Sequence, residues 1–221
     1  MTKMISLAKG ERTSLTKKNK VKLNKIIVGL GWKANKGSGL AIDMDASAIM
    51  LNESGQAESM DDFIYYDHEC SPCGSIMTTG DDEEGDDAVD AVEIEGDCEQ
   101  LVISLNDVPD RIKSIVIVTS IYDAKNRKQD FSKTVNSYIR LIDAKDIDFE
   151  LNTIDDISED VLTEKTFCKH ELVSGGVNET AFVFAEFYRE GNGWGFKANS
   201  EGFKTGLGGV GRSYGLPLSD E

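Results

Sequence analysis

The chain has 221 residues, with 40 Asp and Glu against 24 Lys and Arg and a formal net charge of −16. Its hydrophobic content of 39%, with nine Phe, six Tyr and two Trp, can build a core, which excludes wholesale disorder. The acidic balance excludes a nucleic-acid-wrapping role, because phosphate binding needs concentrated positive charge. Met1 to Lys25 lacks the apolar stretch of a secretory signal, and no run approaches the length of a membrane span. The expectation is therefore a cytoplasmic chain without a transmembrane segment. Its four cysteines, Cys70, Cys73, Cys98 and Cys168, would then stay reduced.

Along the chain, strand signals dominate. Lys25 to Trp32 is an apolar run closing on a Trp. Leu40 to Leu51 alternates with period two: Ile42, Met44, Ala46, Ala48 and Met50 face one way, Asp43, Asp45 and Ser47 the other. Phe63 to Tyr66 and Ser75 to Thr79 read as short strands. Leu101 to Leu105 and Ser114 to Tyr122 are β-branched runs that read as buried on both faces. Tyr138 to Ile142 and Phe149 to Ile154 follow. Ala181 to Arg189 and Trp194 to Ala198 flank Glu190-Gly-Asn-Gly193, a hairpin turn signal. Residues 155–167 permit one or two helical turns, and Lys204 to Tyr214 a short helix weakened by glycine. About eight to ten strands without a βα rhythm predict an all-β, two-sheet antiparallel β-sandwich with short helical segments. With three prolines and no clear linker, a single domain over 1–221 is expected.

The charge is unevenly placed. Residues 1–36 carry ten bases and one acid; from Gly37 to Asp110 there are 21 acids and no Lys or Arg. Eleven of the twenty residues from Gly80 to Glu99 are acidic. Carboxylates interleaved with Gly are the oxygen-rich set that calcium takes; a solvated acidic loop is the alternative. The basic start is expected to lie against this segment of its own chain. Asp43-x-Asp45-x-Ser47 is the sharper feature, since side chains two apart on a strand lie on one face roughly 7 Å apart. Two Asp residues, both poor strand formers, are hard to explain as an ordinary strand surface. The segment is not an EF-hand, because Ala48 stands where the loop needs Gly.

Cys70-Ser-Pro-Cys73 invites a zinc-centred interaction module, with His68 and Cys98 or with Cys168-x-His170. A single CxxC is a weak signal, and small buried thiols are the plainer reading. Gly206-Leu-Gly-Gly-Val-Gly211 matches GxGxxG, but only ten residues follow it, too few for a dinucleotide-binding unit. No nucleophile–base arrangement stands out. The remaining enzyme alternative is a divalent-metal site acting on phosphate-containing substrates, with Lys33 or Arg127 as the cationic residue.

Several segments together resemble one family. Gly29-Leu-Gly-Trp32, Ile42 to Ser47, Asp62 to Tyr66, Ser71 to Ser75, Thr79 to Asp82, Val118 to Ala124, Arg127 to Phe131 and Phe184 to Arg189 occur in the order seen in TerD proteins. These are the tellurite-resistance and general stress proteins of bacteria, and the likeness runs from about Ile5 to Leu216. It implies a non-enzymatic β-sandwich binding one or two calcium ions through acidic loops at one end. The expected partners are other stress and tellurite-resistance proteins or a membrane-associated complex, met through a calcium-dependent docking surface. Carried over by position, the metal ligands are Asp43, Asp45, Asp67, Asp81, Asp82, Asp97 and Glu99. Cys98 replaces an Asp of the family pattern, His68 an Asn, and Lys33 an acid. Residues 82–95 and 145–177 are longer than the family's and read as insertions.

Overall fold

The computed structural model describes residues 4–16, 23–34, 42–79, 96–147, 157–172 and 178–219. Phe149 to Ile154, Asp81, Asp82 and nearly all of the acidic run lie outside the described residues. In chain order the strands are β1 (Ile5–Leu7), β2 (Arg12–Ser14), β3 (Lys25–Ala34), β4 (Met44–Leu51), β5 (Phe63–Ile64) and β6 (Ile76–Thr78). They continue with β7 (Glu99–Ser104), β8 (Ser114–Ile121), β9 (Thr134–Asp143), β10 (Thr166–Glu171), β11 (Ala181–Glu190) and β12 (Gly193–Phe203). Three short helices join them: α1 (Ala124–Arg127), α2 (Glu159–Lys165) and α3 (Gly206–Ser213).

The strands form two six-stranded sheets, β1-β10-β9-β3-β7-β6 and β2-β12-β11-β8-β4-β5. Neighbours run antiparallel, as the alternation predicts, with one exception at an edge. There β1 lies parallel to β10, pairing Ile5 with Cys168 and Leu7 with His170. The two strands are distant in sequence, so no tight turn dictates their sense.

Alternation explains the layering. On β4, Met44, Ala46, Ala48 and Met50 enter the core between the sheets, with Ile115, Ile117 and Ile121 of β8. Ile49 and Leu51 face outward with Val116 and Val118, under Leu207 and Val210 of α3. On the other sheet, Ile27, Val102 and Ile142 face outward under Leu162 of α2. Helices α3 and α2 therefore each cover one outer face, and α3 is why β4 and β8 carry apolar residues on both sides. Full burial of each Ile, Leu or Phe contributes roughly 1.5–3 kcal/mol. The Glu190–Gly193 hairpin forms as predicted, with Gly191 at φ +60°.

The same topology gathers particular loops. The β3–β4, β6–β7, β8–β9 and β10–β11 connections all leave strand ends on one side, shown by the registers Leu30 with Glu99 and Met44 with Ile121. The segments preceding Asp43 and Asp97 thus start from the same end of the sandwich.

Candidate functional site

Asp43 and Asp45 stand at the mouth of β4, two residues apart and on one face, as expected. That face is not solvent-washed. Asp45 is 6% exposed, opposite Ser120 of β8, and Ser47 is fully buried with no hydrogen-bond partner for its Oγ. Asp43 is half-buried and pairs through Oδ2 with Arg127 Nη1 of α1 at 3.2 Å. Its carbonyl accepts the Tyr122 N–H at 2.9 Å, which fixes the strand end. The pair is thus carried by a strand buried on both faces and offers hard oxygen donors on a rigid support.

Asp97 sits elsewhere. Gly96, at φ +124°, turns the chain so that the Asp97 carboxylate lies on the outer face of the first sheet. Arg140 Nε donates to its Oδ1 at 2.7 Å, Tyr138 Oη donates at 3.0 Å, and Gln100 Nε2 reaches Oδ2 at 3.3 Å. The same guanidinium donates twice to Glu159 of α2, at 2.7 Å each. Burial pushes the Asp97 carboxyl upward, while Arg140 and Tyr138 pull it back. The Arg140 bond holds Glu159 below its ordinary value of 4.5. Asp45 and Asp97 face away from each other across two sheets, about 10 Å of core apart. They cannot share an ion. Asp97, fitted to a guanidinium, does not fit the donor set of Asp43 and Asp45.

Of the other expected ligands, Asp67 is exposed in the turn after β5, and Glu99 is half-buried at the start of β7. Among the described residues no three Asp, Glu, His or Cys side chains come together as a metal-holding group. Any complete shell around Asp43 and Asp45 therefore needs donors beyond the described acids. Arg140, Tyr138 and Glu159 are the residues that sequence reasoning missed. Their signal was the glycine pair Gly29 and Gly31 inside β3, a mark of close approach in a strand.

Residues 3–214 match the TerD domain. The chain belongs to the TerD family. Tellurium resistance protein TerD of Serratia marcescens is 34% identical over 215 residues, spanning 97% of this chain and 99% of its own. Stress response protein SCP2 of Bacillus subtilis (strain 168) is 37% identical over 209 residues, spanning 90% and 92%. A solved homologue of telluride resistance protein (TerD) from Streptomyces coelicolor A3(2) superposes with a TM-score of 0.56 at 18% identity, over 84% of this chain and 93% of its own. That likeness concerns the fold alone. These two sequence relatives carry a resistance name and a stress name rather than enzyme names.

In this TerD chain the other motifs resolve into packing. Cys70 and Cys73 are exposed in one turn, with Cys73 Sγ 3.0 Å from Ser75 Oγ and 3.4 Å from Ser71 Oγ. Although burial works against it, the two serine hydroxyls leave the Cys73 thiol below its ordinary range. Cys98 Sγ is spent on the Trp32 carbonyl at 3.7 Å, and Cys168 is buried in β10. His170 bonds Leu7 O, Asn199 O and Ser200 Oγ, and His68 bonds Phe63 O. The zinc sets do not assemble among the described residues. The GxGxxG run forms α3, where side chains at Gly208 and Gly211 would strike Ser219 and Leu218 of the returning tail. Of the cations the enzyme alternative invoked, Arg127 is the one paired with Asp43. No helix of the described residues is long and apolar enough to cross a membrane.

Proposed function

We propose that this chain is a non-catalytic, calcium-responsive protein of tellurium resistance and stress response. The observation that carries this reading is the half-buried Asp43 beside the buried Asp45, on a strand at the end of the sandwich where the base-free acidic stretch begins. Asp43 and Asp45 would hold the ion, with Asp67, Glu99 and the acids of the 80–95 segment, Asp81 and Asp82 among them, as further donors. A bound calcium would supply positive charge to the stretch from Gly37 to Asp110, which holds no Lys or Arg. Arg127 already offsets Asp43, so its guanidinium would yield that carboxylate as the ion arrives. Ordered acidic loops would then present a surface for other stress-response proteins or a membrane-associated complex.

The test is thermal melting after EDTA, with calcium, magnesium or zinc added back. Calcium at a hundredfold excess over Kd stabilises by about 2.7 kcal/mol, a rise in Tm of roughly 5–10 °C for a chain of this size. Asp43→Asn with Asp45→Asn should abolish that rise. A Tm indifferent to calcium, or responsive to zinc alone, would sink the proposal.

A further inference from the structure

A cleft of about 580 Å³ opens where the α1 turn, the 178–180 segment and the start of α3 meet. Lys125, Lys128 and Lys204 all line it. In a chain of net charge −16, three cations converging on one concavity call for explanation, more so because none of them is held in an ion pair among the described residues. One acid, Asp130, lines the cleft with them, and its carboxylate is hydrogen-bonded. Asp130 accepts from Ser132 N and Ser132 Oγ through Oδ1 and from Asn178 N through Oδ2, and Asp123 accepts from Asn126 Nδ2.

Two residues in the left-handed region shape the walls of the cleft. Lys128 closes α1 in the left-handed region at φ +54°, and Asn178, on the facing segment, lies at φ +72°. From the third side the eight-residue α3 brings its N-terminus to the cleft; its N-cap residue Thr205 makes no side-chain cap bond, and Thr180 Oγ1 accepts the Gly206 N–H. Lysines and a helix N-terminus together favour a multiply charged anion.

Size and lining narrow the ligand. The cleft falls in the range of small-molecule sites, roughly 300–1,000 Å³, and exceeds one phosphate group. No aromatic ring lines it for a nucleobase to stack on. Asn178, Thr180 and Thr205 instead offer hydroxyl and amide partners. We propose that this cleft binds a phosphorylated sugar or polyol, its phosphates on Lys125, Lys128 and Lys204 and its hydroxyls on the polar wall.

Titration calorimetry in EDTA tests this independently of any calcium effect. Fructose 1,6-bisphosphate is expected to bind saturably, with Kd below about 1 mM and tighter than inorganic phosphate or ADP. The triple variant Lys125→Gln, Lys128→Gln, Lys204→Gln should weaken it about tenfold or more. The charge-matched triple Lys9→Gln, Lys145→Gln, Lys165→Gln should leave Kd within about twofold, and all three proteins should share one melting profile. No saturable heat, or equal losses in both triples, would overturn the site. Tighter binding of ADP or inorganic phosphate would overturn the polyol assignment. Co-sedimentation with phosphatidylcholine vesicles carrying phosphatidylinositol 4-phosphate, without binding of the soluble bisphosphate, would overturn a soluble ligand.

Discussion

At Gly29 an added methyl would stand 2.0 Å from Oδ2 of Asp97 and 2.2 Å from its Cγ. Gly31 likewise leaves room for the Tyr138 ring, which a methyl would meet at 2.4 Å. These two residues make the shallow bed in which a buried carboxylate meets Arg140. Gly29→Ala must push Asp97 off the guanidinium, and breaking one side of a buried ion pair costs about 3–5 kcal/mol. Urea unfolding should register a loss of that order; a loss below about 1 kcal/mol would mean that Asp97 relocates freely. The cysteines give a second residue-scale expectation. Cys73 is exposed with a lowered thiol, whereas burial pushes Cys168 up to about 12. Iodoacetamide at neutral pH, followed by peptide mass spectrometry, should label Cys73 well before Cys168. Parallel labelling of the two would contradict the assigned environments.

Among the elements, β4 was the most legible, because Ile42 to Ser47 alternates cleanly and Asp43 and Asp45 stood out against poor strand propensity. Strand β10 was hidden for the opposite reason. Its inward positions are Thr166, Cys168 and His170, which fill core space without looking apolar. Strands β1 and β2 are three residues each and lie among lysines, too short for any period to show. Helix α2 was visible as a helical turn, but not its anchorage, which depends on Arg140 from a strand 19 residues away. That anchorage has a pH signature. Glu159 titrates lower in the fold than its ordinary 4.5, chiefly because Arg140 bonds the ionised form. Between the two values the unfolded chain binds more protons, so stability falls as pH falls. The contribution is full above 4.5 and disappears below the folded value. Wild type should therefore exceed Glu159→Gln in stability at pH 7, and the gap should close on acidification. A gap constant down to about pH 3 would remove the ion pair as its cause.

The whole molecule keeps its charges apart: a basic start, a base-free acidic middle, and a nearly balanced remainder. The sandwich itself was readable because burial demands alternation, whatever the surface charge. The site was readable only halfway. Asp43 and Asp45 share a strand face, which periodicity reports, but the separation of Asp97 depends on which sheet face receives it, which spacing along the chain does not report. The charge distribution has a consequence of its own. The 21 acids from Gly37 to Asp110 have no base among them in sequence, and like charges repel over distances comparable with the Debye length, about 10 Å at 0.1 M salt. Raising sodium chloride in EDTA should therefore raise Tm steadily, with most of the gain below about 0.2 M, where the screening length shortens fastest. Calcium added at matched ionic strength separates the general effect from the specific one. A site made by Asp43 and Asp45 gives an increment beyond the sodium curve that Asp43→Asn with Asp45→Asn removes. Pure screening puts both salts and both proteins on curves of the same shape. Absence of any rise with sodium chloride would mean that the acidic end is already neutralised within the fold, and the argument for a bound cation would lose its electrostatic basis.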